Sequence, residues 1–199
     1  MASVPLILAS GSRTRQLMLA RAGVEILAEA APIDEREIRV SFAAEGRSAE
    51  DCAEALAELK AARISARHAG AIVIGADQIL DCNGIWFEKP ADRDHARAQL
   101  QALRGEPHRL VSACVAMRDG TRLWHAVDEA QLVMRACSDA FLDDYLQHAG
   151  DEALDSVGAY QLEGLGAQLF DRVEGDFFTI LGLPLLPLLA FLRHQGALV

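Results

Sequence analysis

The segment AIVIGAD (Ala71 to Asp77) is a charge-free run that ends on a carboxylate. A carboxylate where a buried strand runs out stands where α/β proteins place ligand-binding groups. There it can hold a metal or accept a proton from water. Capping of the following turn accounts for the same residue. A second group opens the chain, where the short apolar run VPLIL (Val4 to Leu8) is followed by Ser10, Gly11 and Ser12, then by Arg13 and Arg15 as a helix begins. Strand, small-residue turn and helix start turn backbone N–H groups toward the positive end of a helix dipole, which favours anions and phosphate above all. Arginines beside it add bidentate donors. A plain turn capped by Ser10 or Ser12, with the arginines in solvent, is the competing reading.

Two lysines belong with these arginines. Lys60 lies mid-helix among alanine and apolar positions, and Lys89 ends a strand immediately before Pro90, where a hairpin returns the chain toward the end of the Asp77 strand. Each alone reads as a surface lysine, but four basic groups at strand and helix ends suit a triphosphate. Glu35, in IDER, is a second carboxylate, within a stretch that reads as a solvated acidic loop. The loop VGAYQLEGLG (Val157 to Gly166) sets Tyr160 and Glu163 among Gly158, Gly164 and Gly166. Glycines let a backbone take positive φ and approach a ligand closely; a solvent loop is the plainer account.

The elements that must position these groups alternate. A strand and a helix stopped by Gly23 are followed by a strand over VEILAEA (Val24 to Ala30), which enters the acidic stretch PIDERE (Pro32 to Glu37). Ser48 with Asp51 starts a long helix toward Gly70 with Cys52, Leu56, Leu59 and Arg63 on one side. Asn83-Gly84 joins QILDC and IWFEK in a tight hairpin. A helix spans about Asp92 to Arg104. Two long strands, HRLVSACVAMR and RLWHAVDEAQLVMR, meet at Asp119-Gly120. Ser138 and Asp139 cap a helix ending near Gly150, and a strand AQLFDRV precedes an apolar tail. The pattern predicts an α/β fold built on a mixed β-sheet with flanking helices and a lobe on each side, and the 199 residues fit one domain.

Composition excludes other classes. A formal charge of −10 argues against a general binder of nucleic acid, which rewards surplus Lys and Arg. The four cysteines form no CxxC pair and the six histidines no HExxH, so neither a disulfide framework nor a histidine-built metal site is expected. Reduced thiols point to a cytoplasmic protein. The most apolar segment, Phe177 to Leu192, is short and broken by Gly182, Pro184 and Pro187, so it reads as a buried loop and helix, with no membrane span. No signal peptide is apparent.

Taken together these pieces resemble the Maf family of nucleotide pyrophosphatases. LASGSRTRQLML resembles the family's opening LASxSPRRxxLL, GADQ its ADT or SDQ segment, EKPAD its KPxD segment, and DSVGAYQLEGLGAQLFDRVEGDFFTILGLPL its C-terminal signature. The order is the family's, from residue 6 to residue 186. The resemblance implies an elongated fold similar to inosine triphosphate pyrophosphatases, with a cleft between lobes, a homodimer, and Mg²⁺-dependent hydrolysis of a nucleoside triphosphate to monophosphate and pyrophosphate. Carried residue by residue, it makes Ser10, Ser12 and Arg15 the phosphate loop, Lys60 and Lys89 basic phosphate-binding groups, Glu35 a metal neighbour, and Asp77 the proton acceptor and second metal group. Arg13, Thr14 and Ser156 depart from the family's proline, its arginine or tryptophan, and its lysine.

Base choice falls to Thr14, Gln78 and Glu163. Gln78 and Glu163 stand where the pyrimidine branch, acting on dTTP and UTP, has threonine and glutamine, and they resemble the branch that hydrolyses 7-methyl-GTP. Guanine offers N1–H and an exocyclic amine side by side, two donors that one carboxylate can accept, and a 7-methylguanine adds positive charge that Glu163 and a stacking Tyr160 would favour. The GAY of the loop resembles the pyrimidine branch instead. A dTTP/UTP or broad-specificity pyrophosphatase, and a septum-formation inhibitor acting through protein partners, are the alternatives the resemblance carries.

Overall fold

In the computed structural model, which describes residues 4–198, the strands pair into one mixed sheet. Leu6–Leu8 is β1, and Ser12 caps α1 (Arg13–Arg21), its Oγ accepting the Arg15 N–H. Gly23 ends that helix at φ 75°, a conformation few other residues take at low cost. VEILAEA contributes a strand only at Leu27–Ala28 (β2). The acidic stretch is not a loop. Asp34 accepts the Glu37 N–H and starts α2 (Glu35–Ala44), with Glu35 and Glu37 in the turn where the helix dipole favours carboxylates.

Ser48 accepts the Asp51 N–H to start α3 (Ala49–Ser65). Its buried side is Cys52, Ala53, Leu56, Ala57, Lys60, Ala61 and Ile64. Leu59 is 45% exposed and Arg63 is also outside, so the expected stripe was misplaced by one helical face beyond Leu56. The true continuation at the i+4 position is a lysine, which hydropathy counts as a surface residue.

The strand ending on Asp77 runs on as β3 (Ile72–Cys82) and turns at Asn83-Gly84, both at positive φ, into β4 (Ile85–Phe87). Then come α4 (Arg93–Leu103), the hairpin of β5 (Pro107–Arg118) and β6 (Thr121–Met134), and α5 (Asp139–Ala149). β7 (Phe170–Glu174), α6 (Phe177–Ile180) and α7 (Leu185–His194) complete the chain. AQLFDRV is strand only from Phe170, because 165–169 take a 3₁₀ turn. Sheet order is β2-β1-β3-β5-β6-β7, with β4 also on β3; β1 is parallel to β2 and β3, and β4 and β7 are antiparallel to their partners.

Two compact units share these strands. One takes the residues up to Gln78, Val111–Asp128 and those from Phe177 on. Its core packs Leu6, Leu8, Met18, Leu19, Ile72 and Ile74 against Leu183, Leu188, Phe191 and Leu192, with Trp124 stacked on Phe191. The other takes Ile79–Leu110 and Glu129–Asp176. There Tyr160 lies edge-on to Phe170, and its hydroxyl is 2.9 Å from Nε2 of the buried His108. All four cysteines are free and buried. Among the described residues no helix is long and apolar enough to cross a membrane.

Candidate active site

Asp77 is buried on β3 (2% exposed), and the chain surrounds it with opposite charge. Lys60 comes from the buried side of α3, its Nζ 2.6 Å from Asp77 Oδ1. The same Nζ is 2.8 Å from Glu35 Oε1 on α2. Arg39, one turn beyond Glu35, places Nη2 3.1 Å from Glu35 Oε2 and 3.1 Å from Asp77 Oδ2. Two carboxylates and two cations thus alternate around a closed ring. The ring supplies the partners without which burial of a carboxylate is costly.

What brings α3 so near is Gly75. A Cβ there would fall on the backbone carbonyl of Ala57 and lie 2.8 Å from the Ala61 nitrogen, so the helix rests on bare strand backbone. Ala53, Ala57 and Ala61 keep the helix side of that contact small. Close approach is what lets a buried lysine stem reach Asp77.

Arg15 is buried at the start of α1. Its Nε donates to the Gly182 carbonyl at 2.7 Å, and Nη1 donates to the Ala76 carbonyl at 3.0 Å and Ser10 Oγ at 3.2 Å. Burial lowers the guanidinium pKa, opposed by the charges of Asp77 and Glu35. Nη2 carries no hydrogen bond among the described residues, so one edge of the guanidinium remains to be given to an anion. Ser10 Oγ also accepts the Ser12 N–H at 3.2 Å, tightening the loop. For Arg39, burial lowers the pKa, but the carboxylates of Asp77 and Glu35 outweigh it and leave it raised.

Asp77, Lys60 and Glu35 therefore meet, and Arg15, Ser10 and Ser12 form one loop, all within the first unit. Thr14 is half-buried in the first turn of α1. Gln78 follows Asp77, its amide nitrogen 3.0 Å from Ser112 Oγ. Lys89, just past β4, and Glu163, in the turn before Leu165–Leu169, are exposed in the second unit.

Sequence reasoning missed Arg39. The signal was present, because Glu35 and Arg39 have the i,i+4 spacing of a helical ion pair, but it is invisible when the segment is taken as a loop. The loop of Val157 to Gly166 was misjudged the other way. Tyr160 is 4% exposed, with its ring against Phe170, so no face is open for stacking on a base. A Cβ on Gly158 would meet Leu80 and Tyr160 at 2.6 and 2.7 Å, and one on Gly166 would fall on the Gln161 carbonyl. These glycines serve internal packing, not the approach of a ligand.

A mixed-sheet α/β protein with a buried carboxylate in an ion-pair ring, beside a serine-arginine loop on a helix start, belongs to a class that handles anionic substrates. The chain matches the family model for Maf-like protein over residues 5–195 and belongs to that family. It is similar to proteins named nucleoside triphosphate pyrophosphatase from Paramagnetospirillum magneticum, at 61% identity over 97% of this chain and 100% of that protein, and Granulibacter bethesdensis, at 52% over 97% and 98%. It is also 50% identical, over 97% of each chain, to a protein from Mesorhizobium japonicum named 7-methyl-GTP pyrophosphatase.

Proposed function

We propose that this protein is a nucleoside triphosphate pyrophosphatase. Water attacks the α-phosphorus, the bond between that phosphorus and the α,β-bridging oxygen breaks, and pyrophosphate leaves with the electron pair. Asp77 orients the water and takes its proton, while Arg15, Lys60 and Lys89 carry the phosphate charge, with Ser10 and Ser12 shaping the loop. The observation that carries this reading is the Lys60–Asp77 contact at 2.6 Å, in which the carboxylate accepts from the ammonium beside a buried guanidinium. The names of the full-length relatives support the activity.

Glu35 and Asp77 are the two carboxylates that a Mg²⁺ ion would share with substrate phosphates and water. Mg²⁺ is commonly bound by one or two carboxylates rather than by an all-protein cage, and no group of three or more potential ligands exists among the described residues. The pair fits that manner of binding. Lys60 and Arg39 occupy some of its lone pairs, and carboxylate oxygens have others to offer. When bound, the ion would neutralise charge on the phosphates.

The base is read as 7-methylguanine. Glu163 is an exposed carboxylate able to accept guanine's exocyclic amine and to favour the ring's positive charge, leaving the ring N1–H to Gln78. Gln78 adds an acceptor, and relatives named for that substrate support the choice. Pyrophosphate release from 7-methyl-GTP, GTP, dTTP and UTP tests it. Preference for 7-methyl-GTP is expected; preference for dTTP or UTP overturns the base and leaves the activity, whereas no release from any nucleotide overturns both.

A further inference from the structure

The amide of Gln78 is held in one orientation. Its Nε2 is 3.0 Å from Ser112 Oγ, 3.1 Å from the Thr179 carbonyl and 3.0 Å from the Ile180 carbonyl. Two backbone carbonyls can only accept, so turning the amide over would set Oε1 against two other oxygens. Ser112 is fully buried, and its hydroxyl proton goes to the Thr179 carbonyl at 2.8 Å, so it faces Gln78 with a lone pair. The Thr179 hydroxyl in turn donates to Asp128 Oδ2 at 2.7 Å, fixing the end of α6 from the other side. Every proton of the Gln78 amide is spent inside the protein.

What remains is Oε1, which has no partner among the described residues. It borders the space that a side chain at Gly182 would fill: a Cβ there would lie 3.5 Å from Oε1 and 3.3 Å from Arg15 Nη2. The unspent acceptor and the unspent donor thus lie beside the same glycine.

We infer that Ser112 and the carbonyls at the end of α6 lock Gln78 as an acceptor, so that position 78 selects nucleotides whose base turns a ring N–H toward it; Ser112 is then a specificity-determining positioning residue. The inference rests on the proposed nucleotide site. It does not require turnover, because a locked acceptor discriminates at the binding step.

Binding of GTP and of 2-aminopurine riboside triphosphate, which keeps the exocyclic amine but replaces N1–H by an acceptor nitrogen, tests it by calorimetry on the full chain, with inorganic triphosphate as a base-blind probe. The wild type should prefer GTP by about tenfold or more, since a mismatched acceptor is left unpaired. Gln78→Met should bring the two nucleotides within about threefold. Ser112→Ala removes one of the three acceptors that hold Nε2 and leaves both carbonyls opposing a turned amide, so it should narrow the gap, but by less than Gln78→Met. A wild type without preference, or a preference that both variants leave unchanged, overturns the proposal. So does a loss shared equally by both nucleotides and inorganic triphosphate, which marks a merely structural role. A wild type that binds with the expected preference but releases no pyrophosphate sinks the enzymatic reading and leaves this one standing; one that binds neither nucleotide ends both.

Discussion

At the scale of single residues, the ring around Asp77 turns one carboxylate into a defined acceptor. Asp77→Asn preserves volume and removes the basic oxygen, so turnover should fall by about 10²- to 10⁴-fold with nucleotide binding retained; steady-state kinetics beside calorimetry separate the two. Arg39 plays a different part. It spans Glu35 and Asp77 from the side opposite Lys60 and competes for oxygens that a divalent cation would use. Arg39→Gln should therefore bind Mn²⁺ several-fold more tightly, read directly by electron paramagnetic resonance, while an unchanged or weaker affinity would place Arg39 outside that competition. Asp77, Lys60 and Glu35 were all legible by type. Their mutual contact was not, because three residues separated by 17 and more positions are joined only by packing.

At the scale of elements, the seat of α3 on β3 decides whether the ring exists. Gly75→Ala drives a methyl group into the Ala57 carbonyl, and the helix must lift. Overpacking of this kind costs about 1–3 kcal/mol, and here it also draws Lys60 away from Asp77. Chemical denaturation should show the loss of stability, and turnover should fall more steeply than the loss of folded protein explains. A destabilised variant with normal turnover per folded molecule would break the link between seat and site. Helix starts were readable where a Ser or Asp cap precedes the first turn, as at Ser48, Asp92 and Ser138. α2 escaped because its apolar residues, Ile38, Val40 and Phe42, do not mark one buried side, and none of its residues is fully buried.

For the molecule as a whole, acid sensitivity should come in part from a group far from the chemistry in sequence. Burial lowers the pKa of His108 to about 4, opposed by the Glu106 backbone. An unfolded histidine titrates near 6.5, so the folded state binds fewer protons between the two values. His108 therefore costs nothing above about pH 6.5, and stability is lost as pH falls from there toward 4, by about 2 kcal/mol at pH 5. Unfolding free energies at pH 7.5 and pH 5 should differ by about that much less in His108→Phe than in the wild type; an equal pH dependence in both would remove His108 from the account.

Local order was written in the chain. Charge-free runs, caps, Asn-Gly and Asp-Gly turns, and the motif order of the family follow from neighbours in sequence, and they were enough to recognise the mixed sheet and the serine-capped start of α1. Tertiary structure decided which side of α3 is buried, since a lysine may enter a core only when carboxylates from β3 and α2 are there to meet it. It decided that Tyr160 belongs to the packing around His108 and Phe170, because a ring in a glycine-rich segment has no intrinsic exposure. It decided, too, which end of the Gln78 amide faces outward. That choice depends on two carbonyls about a hundred residues away, and no local pattern of residue types encodes the direction of a hydrogen bond.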